Sequence, residues 1–150
     1  MQDPRQYPAT FLLCMLCVMA SPMIYVSFPG TAREALGFYA EVFGGKLSLF
    51  TNKEFGNGGP PDAIAHGELQ GIVSVAGSDT SPGGQSVKFE GLMLSLLGTA
   101  EPKVLHDWFD QLAVDGQIVD PLAPKPWGAS DGQVIDRFGL HWLIGYEPES

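Results

Sequence analysis

The residues best suited to chemistry are a His-x-Glu pair in the first half of the chain, His66 and Glu68. They lie in residues 62–70, which we predict to form a strand, so both side chains project from one face of it. An imidazole and a carboxylate on one face could transfer protons or hold an irregular metal site. A polar strand edge facing solvent, with Gly67 and Leu69 on the inner face, would give the same pattern. The pair is a catalytic candidate, and this alternative stays open.

Four further residues are candidate ligand contacts because they are aromatic or polar and lie in or beside predicted strands: Tyr25, Ser74, Trp127 and His141. Trp127 lies in a proline-rich loop, where an indole ring can stack on a ligand or pack against the core or a dimer partner. Ser74 can line a binding site or bond to neighbouring backbone. His141 shares a strand face with Leu143, and packing explains it as well as ligand contact does.

Two polar residues are predicted to have structural or solvent-facing positions. Asp136 is expected to cap the turn formed by residues 136–139, with Gly139 at a positive φ. His106 is expected to be solvated on a helix surface.

The cysteines, Cys14 and Cys17, are spaced like a redox or zinc pair, but no second pair follows and they lie in an apolar run. That run, Phe11 to Met19, is far shorter than the ~20 residues that cross a bilayer. Arg5 before it gives the segment the look of a signal peptide. We expect residues 1–22 to be an extension that is disordered, signal-like or the result of a start assigned too far upstream. The protein is then cytoplasmic or, in the alternative, exported.

Composition narrows the classes of partner. A chain of 150 residues with a net charge of −9 and only eight Lys or Arg is one domain without the basic patch that nucleic acid requires. We expect no nucleic-acid partner and no membrane partner. The net negative charge creates a long-range electrostatic field that favours a cationic ligand over an anionic one.

The elements that would position these residues follow one pattern twice. In the first half, a strand over residues 23–28 precedes a helix that a Thr31–Glu34 capping box begins and Gly44 and Gly45 end. Strands are then predicted over residues 46–52, 62–70 and 72–77.

The second half repeats this order. A strand over residues 89–97 precedes a helix with Pro102 in its first turn and an apolar stripe of Val104, Trp108 and Leu112. Strands over residues 117–122, 132–136 and 140–146 complete it. We predict one domain over residues 23–147, with halves 23–77 and 88–147 and a linker over residues 78–87.

The repeated order strand-helix-strand-strand-strand predicts an α+β fold of paired βαβββ modules whose mixed sheets form a cup. A ferredoxin-like α+β domain is the alternative, and it explains the second copy less well. Each sheet has one face covered by its helix, so a small molecule would bind in the apolar cup between the halves.

Several segments resemble the PhnB-like branch of the vicinal oxygen chelate superfamily. They occur in the same order as in that branch and cover residues 23–146: residues 25–30 (YVSFPG), 35–45 (ALGFYAEVFGG), 62–66 (DAIAH), 108–110 (WFD), 127–128 (WG) and 136–142 (DRFGLHW). The superfamily includes glyoxalase I, extradiol dioxygenases, fosfomycin-resistance enzymes and bleomycin-binding proteins. The resemblance implies the glyoxalase/bleomycin resistance/dioxygenase fold and a homodimer.

Catalytic members of the superfamily hold a divalent metal with His and Glu side chains from four strands. The matching positions lie near Ile24, Ser74, Gly91 and Leu143, none of which suits a divalent ion. We therefore expect no metal and no cofactor, and no glyoxalase I or extradiol dioxygenase activity.

The PhnB-like branch often carries the label of a 3-demethylubiquinone-9 3-methyltransferase domain. The sequence has no glycine-rich turn between a strand and a helix of the dinucleotide-binding kind, so we do not expect a methyltransferase that uses S-adenosylmethionine. The leading hypothesis is metal-free binding of a small molecule. The alternatives are lyase, isomerase or transferase chemistry at His66 and Glu68, and sequestration of a cationic antibiotic of the bleomycin type.

Overall fold

The computed structural model describes residues 23–148, which form eight strands and three helices. The predicted extension, with its cysteine pair and apolar run, lies outside the described residues. The elements in chain order are β1 (Ile24–Phe28), α1 (Ala32–Phe43), β2 (Lys46–Thr51), α2 (Asn52–Phe55), β3 (Ile64–Gln70), β4 (Val75–Asp79), β5 (Leu94–Leu97), α3 (Pro102–Ala113), β6 (Gln117–Pro124), β7 (Ser130–Ile135) and β8 (His141–Tyr146).

The strands form two four-stranded sheets with the same topology. The first sheet has the order β1-β4-β3-β2 and the second β5-β8-β7-β6. In each, the strand before the helix pairs parallel with the last strand, and the remaining pairs are antiparallel. The predicted α+β fold of two βαβββ modules with mixed sheets is confirmed, and the ferredoxin-like alternative is not.

The core lies between the two sheets and is shared by both halves. Buried side chains of α1 and α3 and of the helix-covered faces of both sheets form one apolar cluster. Phe43 of α1 meets Trp108 of α3 edge to face with 5.1 Å between ring centroids, and it also contacts Trp142 of β8. The space between the halves of one chain, where we expected the ligand cup, is therefore filled by packed side chains. The open surfaces are the sheet faces on the other side, away from the helices.

The beginning of α1 differs from its sequence prediction. Thr31 has φ −113° and ψ 13°, and its side chain makes no capping hydrogen bond, so the predicted Thr31–Glu34 capping box is wrong. Asp79, at the end of β4, replaces it: its carboxylate accepts from the Ala32 N–H at 2.8 Å. A capping box does occur at α2, between Thr51 and Glu54.

Smaller differences concern element edges. β4 continues to Asp79, two residues into the predicted linker, and β5 is confined to Leu94–Leu97. Val104 is 37% exposed, because Leu105 and Phe109 take the buried side of α3 with Trp108 and Leu112. No helix among residues 23–148 combines the length and the apolar composition that a bilayer crossing requires.

Candidate functional site

The candidate site lies on the open face of the first sheet, the face opposite α1. Gly67 of β3 faces α1, because a Cβ at this position would meet the Leu36 side chain. Side chains alternate along a strand, so His66 and Glu68 must point to the other face. Both are half-buried there.

Neighbouring strands add aromatic and small side chains to this face. Phe50 of β2 is in register with His66, and Ala76 of β4 is in register with both Glu68 and Tyr25. Ala76 is small, which leaves room for the Tyr25 ring to reach across β4 toward β3. The open face thus brings together three of the residues selected from the sequence, Tyr25, His66 and Glu68.

Tyr25 and His66 form the geometric centre of the site. The Tyr25 hydroxyl lies 3.1 Å from His66 Nδ1, and the two rings stack with 5.7 Å between centroids. Phe50 also stacks with the imidazole, at 6.4 Å between centroids, and meets Phe55 of α2 edge to face at 5.5 Å. Tyr25 is 52% exposed, so this aromatic row can be reached by solvent.

Glu68 supplies the carboxylate of the face. One of its oxygens accepts a hydrogen bond from Gln70 Nε2 at 3.0 Å, which leaves the other oxygen available as an acceptor. An imidazole and a carboxylate two residues apart on one strand lie roughly 7 Å apart at their Cα atoms. The arrangement can hydrogen bond to a ligand that stacks on the aromatic row.

Ser74 and Trp127 lie elsewhere. Ser74 is in the β3–β4 turn, where its hydroxyl accepts from the Gly71 N–H and donates to the Gly71 carbonyl, the backbone alternative foreseen for it. Trp127 is 70% exposed at the tip of the β6–β7 hairpin, in a turn closed by the Gly128 N–H and the Lys125 carbonyl. Neither contacts the aromatic row.

The other two histidines belong to the second half. His141 is in register with Ile135 in the second sheet, and its Nε2 is a buried atom without a hydrogen-bond partner in the described residues. His106, expected to be solvated, is partly buried, with its Nε2 3.1 Å from the Tyr146 hydroxyl. The fold therefore does not bring His141 or His106 to the site around His66.

Among the described residues, the polar core group with the most hydrogen bonds is Asp136, for which the sequence predicted only a turn-capping role. Asp136 is 3% exposed, and its carboxylate accepts four hydrogen bonds, from the Tyr39 hydroxyl, Trp142 Nε1 and the N–H groups of Phe138 and Leu140. The predicted turn is confirmed, since Gly139 has φ 87° and its N–H bonds to the Asp136 carbonyl. The contact with Tyr39 could not be read from local spacing because it joins the two halves.

Tyr39 is electrostatically the most perturbed group of this network. Burial raises the pKa of Tyr39 far above its usual value, and the charge of Asp136 and the hydrogen bond to it raise that pKa further. The phenol therefore stays protonated and acts as a fixed donor. Its role is structural, since neither group faces the open side of a sheet.

The four positions that would hold a metal in catalytic superfamily members do not fit one here. Ile24 and Leu143 have no donor atom, Gly91 has no side chain, and the Ser74 hydroxyl is bonded to backbone. Among residues 23–148 no group of three or more His, Cys, Asp or Glu side chains is arranged to hold a metal.

Comparisons with known proteins place the chain among relatives. No family model matches the sequence. Protein PA1353 from Pseudomonas aeruginosa has 31% sequence identity, a TM-score of 0.71, and is matched over its whole length by 86% of this chain. That identity and coverage show a shared family.

A PhnB protein from Bacillus cereus superposes with a TM-score of 0.67 at 21% identity, over 84% of this chain and 98% of its own, and shows the same fold. This chain belongs to the same family as PA1353 and has the fold of the PhnB protein. The resemblance of its motifs to that branch is confirmed.

Further relatives agree with this result. Protein YjdN from Escherichia coli K12 is 29% identical over 135 residues, which are 80% of this chain and 90% of YjdN. Solved structures of the glyoxalase/bleomycin resistance/dioxygenase superfamily from other bacteria share the fold at lower identity. All of these matches agree with the topology of two four-stranded sheets described above.

Proposed function

We propose that this PhnB-like protein binds a small molecule, without a metal, against the open face of its first sheet. The observation that carries the proposal is the row of three stacked rings, Tyr25, His66 and Phe50, on the sheet face opposite α1. Flat aromatic surfaces with a few fixed polar groups are typical of small-molecule sites.

The hydrogen bond from Tyr25 determines what His66 offers a ligand. In the tautomer in which the Tyr25 hydroxyl donates to Nδ1, the proton of a neutral imidazole resides on Nε2. His66 then presents an N–H donor and Glu68 presents an acceptor. A planar ligand carrying both an acceptor and a donor fits this pair.

A homodimer is part of the proposal. The open faces of both sheets carry half-buried side chains, and exposed apolar residues lie along the edge strands β1 and β5, at Ile24, Tyr25 and Leu97. A second copy that covers these edges would exclude water from the aromatic row and strengthen its hydrogen bonds.

Thermal unfolding in the presence of small planar heteroaromatic compounds tests the binding proposal. A compound at about 100 times its Kd stabilises a protein by roughly 2.7 kcal/mol, a shift of several degrees for a domain of this size. We expect His66→Ala to abolish the shift and Trp127→Ala, at an exposed position off this face, to preserve it. If no compound raises the melting temperature, or if both variants lose the shift equally, the proposed site is wrong.

A second candidate is an enzyme that uses His66 for proton transfer. The Tyr25 hydroxyl orients the imidazole as a positioning group orients a catalytic base, and Glu68 lies on the same face. Where a bound compound is also converted, we expect His66→Gln to eliminate turnover and Tyr25→Phe to shift its pH profile. Conversion that survives His66→Gln would exclude this candidate.

A further inference from the structure

A groove on the outer surface of α1, separate from the open sheet face, has features that the fold does not require. It encloses about 460 Å³ between the helix and the turn after β7. This volume lies within the range of small-molecule sites. Its lining combines both arginines of the described residues, Arg33 and Arg137, with the rings of Phe38 and Phe138.

The two guanidinium groups are available to a ligand. Arg137 lies over Phe38, with its guanidinium carbon 4.1 Å from the ring centroid, and its ion pair with the exposed Asp115 is long at 3.7 Å. Arg33 is exposed and has no acidic partner within 4 Å among residues 23–148. Planar guanidinium groups bind carboxylate and phosphate oxygens in pairs.

Gly37 forms part of the groove and is not explained by packing. It lies in the interior of α1, where glycine destabilises a helix relative to alanine, and its φ is not in the left-handed region. A Cβ at this position would meet no atom within 4 Å. The missing side chain leaves helix backbone exposed in the groove, where a bound molecule can approach it closely.

We propose that this groove binds a small molecule that carries one carboxylate or phosphate group on an apolar, preferably aromatic, body. The arginines hold the oxyanion, the half-buried ring of Phe138 contacts the body, and Gly37 provides space for it. Glu34 and Glu41 also line the groove and repel additional negative charge, so a molecule with a single anionic group is favoured over a polyanion.

Two matched probes test the charge requirement: 3-phenylpropanoate and 3-phenylpropylamine share their aromatic body and carry opposite charges. In an amide-resolved NMR titration of the full chain, we expect the carboxylate to shift the signals of Gly37, Phe38 and Phe138. The amine should leave them unchanged. Equal shifts with the amine, or no shifts at these amides with the carboxylate, would overturn the proposal.

Variants test which residues hold the probe. We expect Arg33→Gln and Arg137→Gln each to weaken 3-phenylpropanoate binding about tenfold, the loss of one charge-assisted pair. Lys103→Gln, which removes a cation that is 86% exposed on α3, should leave binding unchanged. Undiminished binding in the Arg33→Gln/Arg137→Gln double variant would show that the groove does not hold the anion.

Gly37→Ala separates a ligand role from a folding role. Without the probe, alanine should raise the melting temperature by about 2 °C, because it favours the helix and meets open space. Binding of 3-phenylpropanoate should fall at least tenfold. Full affinity in this variant, or a lower melting temperature, would contradict the role assigned to the glycine.

Discussion

At the scale of the residue, one hydrogen bond connects positions 97 residues apart. The Tyr39 hydroxyl of α1 donates to Asp136 Oδ2 at 2.8 Å, and Trp142 Nε1 donates to the same oxygen. A buried carboxylate is costly unless its acceptor sites are filled. Here four donors fill them, which makes Asp136 a joint between the first helix and the last two strands rather than a functional acid.

Tyr39→Phe should therefore destabilise the protein by about 2 kcal/mol at pH 7, the value of a hydrogen bond to a charged group. The raised pKa of Tyr39 in the folded state gives this penalty a pH dependence. The protonated Tyr39 phenol makes its full contribution to the free energy of unfolding below the unfolded-state pKa of about 10. That contribution decreases as the pH rises above this value. Urea unfolding of both proteins from pH 7 to 11 should show the penalty shrinking by roughly 1.4 kcal/mol at pH 11.

A penalty that stays constant up to pH 11 would contradict this account of Tyr39. A negligible penalty at pH 7 would show that the hydrogen bond to Asp136 makes no net contribution to the free energy of unfolding.

At the scale of the element, the beginning of α1 is stabilised by a side chain from another strand. One carboxylate oxygen of Asp79 accepts a hydrogen bond from the Ala32 N–H at 2.8 Å. The other oxygen accepts a hydrogen bond from the Ile64 N–H of β3 at 2.9 Å. The parallel pairing of β1 with β4 places the end of β4 beside the end of β1, from which the chain enters the helix. One residue thus fixes the helix to the sheet that presents His66 on its opposite face.

We expect Asp79→Ala to cost about 2 kcal/mol, since it removes a helix cap and leaves a second N–H group without its acceptor. Thr31→Ala is the matched control, because Thr31 precedes the helix but makes no side-chain cap, and its cost should be within about 0.5 kcal/mol. Chemical denaturation of the two variants measures both values. An equal cost would mean that the capping box acts in solution after all.

At the scale of the whole molecule, the two modules are joined through one core. Phe43 and Tyr39 of the first half contact Trp108 and Trp142 of the second, so neither half can bury its aromatic side chains alone. This packing leaves two open sheet faces on the outside, and it accounts for the location of the proposed site on one of them.

We expect the protein to unfold in a single cooperative transition, with equal calorimetric and van't Hoff enthalpies. Trp108→Ala should reduce the free energy of unfolding by about 3–5 kcal/mol, the usual contribution of a large buried aromatic side chain. The midpoint of the single transition should fall accordingly. Scanning calorimetry provides the measurement. Two resolved transitions, in either protein, would show that the halves are independent units.

The repeated order of elements and the family could be predicted from the sequence, because both depend on local patterns. Apolar alternation at a period of two and apolar stripes in the helices recur in both halves, and the helix start at Pro102 agrees with the structure. Alternation also fixed His66 and Glu68 on one face of β3. The cap of α1 was missed because its acceptor, Asp79, is 47 residues away from Ala32 and is delivered by strand pairing.

By itself, the sequence determined which residues share a face of each strand and helix, since that depends only on backbone geometry. Only the tertiary structure decided which faces meet. It placed α1 and α3 in the space expected for the cup, brought Tyr25 to His66 across β4, and left Ser74, Trp127 and His141 in other parts of the molecule. Contacts between distant segments depend on how the sheets pack, and no local pattern encodes that packing.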